Sequence, residues 1–155
     1  MALLSKSCIY GIRASIFVAI KYEEDKYLSI PQIANELQLS SHFLTKILQK
    51  LTIKEILLSY RGPNGGVKLK NNPEEVKLLE IIEAIDGLTL FEECALGLEG
   101  CGMYYPCPLH YSWSKHRESL MELFERETLK SLADSVNTAG FRLRTLDVAN
   151  LTKVN

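Results

Sequence analysis

The chain has 155 residues, 46% of them hydrophobic and 24% charged, with a formal net charge of −1. These are ordinary globular values; they argue against a disordered chain or an integral membrane protein and leave room for one domain plus an appended element. The near-neutral total hides an asymmetry, because residues 1–75 carry ten basic and seven acidic side chains, residues 76–155 eight and twelve, and within 38–70 six bases face one acid. A local basic patch on an overall acidic chain points to a polyanion-binding module joined to something else.

Ile9, Ile12, Ile16, Phe17 and Ile20 recur at helical steps and predict an amphipathic helix over about 6–21. The acidic run Glu23-Glu24-Asp25 ends it in a solvated turn. Ser29-Ile30-Pro31-Gln32 has the capping-box form and opens a short helix over 30–37. Ser40 or Ser41 caps the next helix, which points Leu44, Ile47, Leu48 and Leu51 inward and His42, Thr45, Lys46 and Gln49 outward. Two short helices joined by a tight turn, the second with a polar free face, form a helix-turn-helix, although a plain helical hairpin would read alike. Strand-like runs at 57–61 and 67–70 flank the turn signal Gly62-Pro63-Asn64-Gly65-Gly66, and a hairpin directly after a helix-turn-helix is a wing. The expected fold is mainly α with a small β-hairpin: a winged helix-turn-helix DNA-binding domain.

A helix over about 78–86 is closed by Gly87 in the usual C-terminal position. Cys94, Cys101, Cys107 and His110 then fall within seventeen residues of a Gly- and Pro-punctuated loop. Thiolate and imidazole are soft-to-borderline donors that select iron-sulfur clusters or zinc. No secretory signal or membrane span is visible, so the cytoplasm is expected, where cysteines bind metals or sense redox state more often than they build disulfide frameworks. A structural zinc site would normally bring short C-x2-4-C knuckles, and a thiol redox enzyme a C-x-x-C; neither is present. Without a nucleotide-binding glycine motif or a serine-nucleophile elbow, an enzyme is not expected.

A long helix is predicted from Tyr111 into the 130s, with Trp113, Leu120, Leu123, Phe124 and Leu132 on a partly apolar stripe. A monomer would leave that stripe wet, so a two-fold dimer is expected. The expected organisation is a DNA-binding domain at 1–87, a cysteine-rich loop at 88–110, a dimerisation helix at 111–135 and an uninformative tail at 136–155.

Several segments taken together carry a family resemblance. Ser5-Lys6, Tyr10-Gly11-Ile12-Arg13-Ala14, Ser29-Ile30-Pro31-Gln32-Ile33-Ala34, the run Phe43-Leu44-Thr45-Lys46-Ile47-Leu48, the wing Arg61-Gly62-Pro63-Asn64-Gly65-Gly66 and the helix ending Ile85-Asp86-Gly87 stand in that order before the spaced cysteines. Over residues 3–135 the chain resembles the bacterial winged-helix regulators that include the iron-sulfur cluster regulator IscR and the nitric-oxide-sensitive repressor NsrR. The resemblance implies a homodimeric transcription regulator in which Cys94, Cys101 and Cys107 are thiolate ligands. It also implies His110 as the fourth ligand, as in IscR-like members. NsrR-like members take an acid from the first helix, where this chain has Ile9; the adjacent Cys8 is the alternative fourth ligand. Three cysteines and a histidine favour [2Fe-2S] over [4Fe-4S].

The resulting expectation is a repressor-type regulator whose affinity for a roughly palindromic double-stranded operator follows the state of the cluster. Ser40, Ser41, His42, Thr45, Lys46 and Gln49 would enter the major groove, and Arg61 and Asn64 on the wing would reach the minor groove or backbone. Lys6, Lys50 and Lys54 would add phosphate contacts. Two alternatives stay open: a winged-helix module with a structural zinc site acting in protein interaction, and a cluster-free thiol redox regulator.

Overall fold

A computed structural model describes residues 3–100, 102 and 104–144. Helix α1 (Lys6–Ile20) starts at Ser5, whose hydroxyl accepts from the Cys8 N–H at 3.0 Å. It buries Ala14, Ser15, Phe17 and Val18 among the other helices, while the Ser15 hydroxyl is satisfied by the Gly11 carbonyl one turn back at 2.8 Å. Helix α2 (Ile30–Leu37) follows its Ser29 cap, with Pro31 in the first turn where a missing N–H costs nothing. Gln38 adopts a left-handed conformation at φ 55° and ends α2, turning the chain into α3 (Ser41–Ile53), which Ser40 caps. The four inward residues expected on α3, Leu44, Ile47, Leu48 and Leu51, are all at most 2% exposed.

Strands β1 (Leu57–Tyr60) and β2 (Gly66–Leu69) pair antiparallel with Leu57 opposite Leu69 and Tyr60 opposite Gly66. A further rung joins the hairpin to the helical core, because Leu28 and Val67 exchange two backbone hydrogen bonds, each 2.9 Å. That approach explains Gly66. A Cβ at this position would lie 2.0 Å from the Leu28 carbonyl oxygen and 2.4 Å from its carbon. Lys68 stiffens the wing base by donating to the Glu24 carbonyl at 2.7 Å and standing 5.2 Å over the Tyr27 ring.

Helix α4 (Leu78–Asp86) packs Ile81 and Ile82 fully into the core against α1 and α3. A one-turn helix α5 (Thr89–Glu92) and then the cysteine loop lead to α6 (His110–Arg126) and α7 (Leu129–Ala139). The helix expected to run unbroken from 111 into the 130s is therefore two helices. Glu127 leaves helical geometry, Thr128 and Ser131 form a capping box that restarts the chain, and the Leu78 and Leu129 N–H groups bond the Glu127 and Val76 carbonyls at 2.9 Å each. The residues on either side of the break then diverge. Leu129 and Ala133 of α7 are buried in the common core, whereas Phe124 is the one buried residue of the 17 in α6. Residues 137–144, assigned to an uninformative tail by the sequence, finish α7 and return to the winged unit: the Arg13 guanidinium donates both to the Leu143 carbonyl and, at 3.1 Å, to the Leu37 carbonyl at the end of α2. No helix among the described residues is long and apolar enough to cross a membrane.

Candidate nucleic-acid interface and cysteine loop

The α2 caps and the Gln38 turn set α3 across the surface with His42, Lys46 and Gln49 exposed and Thr45 half-buried. Ser40 and Ser41 are exposed at its N-terminus, and Arg61 and Asn64 are exposed on the wing. Between α3 and the wing lies a groove of about 480 Å³, lined by Ile30 and Pro31 at the start of α2, by Thr45, Gln49 and Thr52 of α3, and by Tyr60, Arg61 and Gly65 of the wing. The groove collects in one place several of the residues singled out in the sequence, and adds Thr52 and Tyr60, which the sequence reading missed. Tyr60 ends β1 58% exposed, an aromatic side chain beside a glycine-rich turn, and that placement was its available signal. Lys6, Lys50 and Lys54 are exposed, and the Lys50 ammonium donates to the Ile85 carbonyl at 3.2 Å, tying α3 to the last turn of α4. A lysine at that carboxyl end also meets the negative pole of α4.

Asp86 closes α4 and serves a second helix. Its carboxylate accepts from the Ser5 N–H at 2.8 Å and the Ser5 hydroxyl at 2.5 Å, so an anion sits at the positive N-terminal end of α1. Cys8 lies beside it and is fully buried. Burial, reinforced by the Asp86 charge and its hydrogen bond, pushes the Cys8 thiol up to about 12. A thiol so placed is packed in the common core.

In the loop, the Cys94 and Cys107 sulfurs stand 3.5 Å apart. A disulfide would need about 2.05 Å. Two thiolates each about 2.3 Å from one tetrahedral ion sit about 3.7 Å apart, so this pair fits as two ligands of a single metal. Cys101 lies outside the described residues. Gly102, which follows it, presses its backbone against the imidazole of His110: a Cβ there would fall 2.2 Å from Cε1 and 2.8 Å from Nε2. Among the described residues no three His, Cys, Asp or Glu side chains stand together as a metal-binding group, so the described part of the site is the thiol pair with His110 at the adjoining start of α6.

Both thiols are fastened to α6. Cys107 accepts from the His110 N–H at 2.9 Å through its carbonyl. On the Cys94 side, the Trp113 indole donates to the Glu93 carbonyl at 2.9 Å, and Arg117 donates to the Glu92 and Glu93 carbonyls at 2.5 and 2.9 Å. Phe91 packs edge-on against Phe124 at 6.0 Å to complete the seat of α5 on α6. The sequence reading took Trp113 as part of an apolar stripe and passed over Arg117. His110, Trp113 and Arg117 share one helical face at steps of three and four, which was the signal on offer.

Comparison with known proteins bears on this arrangement. NsrR of Oceanobacillus iheyensis, an HTH-type transcriptional regulator, is 28% identical over 130 residues, covering 83% of this chain and 88% of its own. The structure of CymR, the global cysteine regulator of B. subtilis, superposes with a TM-score of 0.71 at 25% identity over 86% of this chain and 98% of that one. IscR of T. potens shares the fold, with a TM-score of 0.70 at 23% identity over 90% and 91% of the two chains. NsrR and CymR are named as regulators, and the α-helical unit with its two-stranded wing is the fold shared with the solved structures. The matching family description, iron-dependent transcriptional regulator, spans residues 4–135, and on that footing the chain belongs to the Rrf2 family of DNA-binding transcription regulators.

Proposed function

We propose that the protein is a homodimeric cytoplasmic regulator whose affinity for a roughly palindromic operator is set by an iron-sulfur centre, [2Fe-2S] in preference to [4Fe-4S], held by Cys94, Cys101, Cys107 and His110. The observation that carries this reading is the Cys94–Cys107 pair, 3.5 Å apart and fastened on both sides to α6. The iron-dependent family description supports the choice of metal. When bound, such a centre supplies a charge and redox state that change on oxidation, attack by nitric oxide or loss of iron.

On the DNA side, His42, Thr45, Lys46 and Gln49 meet base edges in the major groove, with Ser40 and Ser41 at the leading end of α3, while Arg61 and Asn64 reach the adjoining minor groove or backbone, Arg61 as a phosphate contact. The groove between α3 and the wing takes the sugar-phosphate strand that separates the two, with the α2 N-terminus and Arg61 facing its charge. Lys6 and Lys54 add phosphate contacts, which set affinity and salt dependence without reading sequence. Leu123, 39% exposed on α6, faces the partner subunit in the dimer together with Tyr111.

Coupling runs through the segment that leads into the loop. Lys50 joins the recognition helix to the Ile85 carbonyl, Asp86 joins the same turn to the start of α1, and Gly87 then opens the path to α5 and Cys94. A rearrangement around Cys94 therefore acts on the turn that supports α3. A coupling free energy of about 1–3 kcal/mol changes operator affinity roughly 5- to 150-fold. The test is anaerobic purification with an absorption spectrum and iron and sulfide analysis, followed by operator binding of cluster-loaded and cluster-free protein in one salt. Equal affinity of the two forms across every operator tried would overturn the sensing role, and a colourless protein with stoichiometric zinc would overturn the cluster.

Similarity to the cysteine regulator CymR, together with the same close thiol pair, favours a second reading in which the thiols respond to oxidants directly. An iron-free protein whose DNA binding falls on oxidation and returns on reduction would select it.

A further inference from the structure

Arg117 is an expensive side chain to keep where it is. It lies on the face of α6 that holds α5, its NH1 donates to two backbone carbonyls, and its Nε is shut off from solvent with no hydrogen-bond partner. Burying part of a guanidinium and leaving one N–H unmet costs stability that an apolar side chain of similar length would not. What the guanidinium obtains in return is narrow in space: it grips the carbonyls of Glu92 and Glu93, the two residues immediately before Cys94. Trp113, one turn nearer His110, grips the Glu93 carbonyl as well. The other sulfur, Cys107, is fixed to the same helix through the His110 N–H. Thus α6 acts as a common rod to which the chain at the two cysteines, 13 residues apart in sequence, is separately attached.

We propose that Arg117 and Trp113 are positioning residues of the thiol centre: their grip on the Glu92 and Glu93 carbonyls fixes the backbone entering Cys94 against α6 and so holds its sulfur beside that of Cys107. The inference rests on the proposed reading only in taking this thiol pair as the sensing group, whatever it binds. Neither residue touches a metal or DNA in this role; both act through Cys94. Their contacts are to backbone, so they constrain where the ligand stands without altering its chemistry.

The experiment measures thiol pairing in the metal-free, reduced, full-length protein, so that its outcome is independent of which metal the wild-type protein carries. In a Cys101→Ser background, the azo compound diamide is added and the Cys94–Cys107 disulfide is followed by peptide mass mapping. The two thiols surrender two protons and two electrons to the N=N bond of diamide and form one S–S bond. Pairing held by the grip is rapid, because close placement makes the second step effectively unimolecular. Arg117→Met removes two charge-assisted bonds and relieves the unmet Nε, so the chain is expected to stay folded by circular dichroism while disulfide formation slows about tenfold or more. Trp113→Phe is expected to slow it about threefold, and Arg117→Lys, which keeps donors near both carbonyls, to restore most of the rate. Wild-type rates in both Arg117→Met and Trp113→Phe would overturn the proposal, as would slowing in Arg117→Lys equal to that in Arg117→Met. Should Arg117→Met unfold, Trp113→Phe decides alone, and a rate within about twofold of wild type refutes the grip. Absence of iron from the wild-type protein, by contrast, would remove the cluster reading and leave this result standing.

Discussion

Gly66→Ala is the sharpest single test of how the wing is held. The added methyl would stand 2.0 Å from the Leu28 carbonyl oxygen, where ordinary contact begins near 3.4 Å, so about 1.4 Å of movement is required. Neither obstacle is a flexible side chain; both the oxygen and the carbon at 2.4 Å are backbone. A displacement of that size breaks the two hydrogen bonds between Leu28 and Val67, worth about 1 kcal/mol each, and loosens residues that are 3% and 2% exposed. With some packing strain the expected loss is about 2–4 kcal/mol, or roughly 5–15 °C in Tm for a domain of this size. Urea denaturation followed by circular dichroism measures the stability term, and titration of a labelled DNA duplex at fixed salt measures the functional one, which is expected to weaken at least about tenfold as the wing moves away from α3. An unchanged denaturation midpoint together with unchanged DNA affinity would refute the claim that the Leu28–Val67 rung places the wing.

The Cys8 thiol, raised from 9.0 to about 12 in the folded chain, contributes stability that is complete below pH 9 and is lost as pH rises towards 12; Cys8→Ala is expected to flatten that part of the alkaline denaturation profile relative to wild type, measured by urea titrations at stepped pH. Arg61→Ala is expected to weaken binding to all duplexes alike and to lower the slope of log affinity against log salt by about 1, while Gln49→Ala reduces discrimination between operator variants by about 1–3 kcal/mol, both read by anisotropy titration. Leu123→Glu places a charge on the open face of α6 and is expected to yield a monomer by sedimentation equilibrium; a dimer of wild-type strength would move the subunit contact elsewhere.

Local signals made the winged unit legible. Ser29, Ser40 and Gly87 mark helix ends, the α3 pattern separates Leu44, Ile47, Leu48 and Leu51 from the polar face, and Gly62 to Gly66 announce the turn. The break at Glu127 and Thr128 was hidden because the stripe of Leu120, Phe124 and Leu132 continues across it at helical spacing. What divides α6 from α7 is a pair of long-range backbone bonds to the segment before α4, and periodicity carries no record of those. Cys8 shows the same limit. Its place in the sequence carries no sign of its burial, which follows from how α1, α4 and Asp86 meet in three dimensions. The bond of the exposed Lys50 to the Ile85 carbonyl, 35 residues away, is likewise a contact that no local pattern records. For the cysteine loop, the residue types suggest a chemistry, and of the backbone grip by Arg117 and Trp113 only the donors' shared helical face is legible, since its acceptors are carbonyls that every residue possesses.

The reach of Arg13 between the Leu37 and Leu143 carbonyls has a bearing on the order in which this protein becomes competent. The residue that braces the turn at the end of α2 is translated 130 residues before one of its two acceptors, and well before Leu129 and Ala133, whose side chains join α1 in the core. A nascent chain halted after the wing thus has α2, α3 and the hairpin while α1 still lacks its packing against α4 and α7. The brace is complete only once Leu143 has been translated, and an affinity tag inserted close behind it would intrude on the same contact.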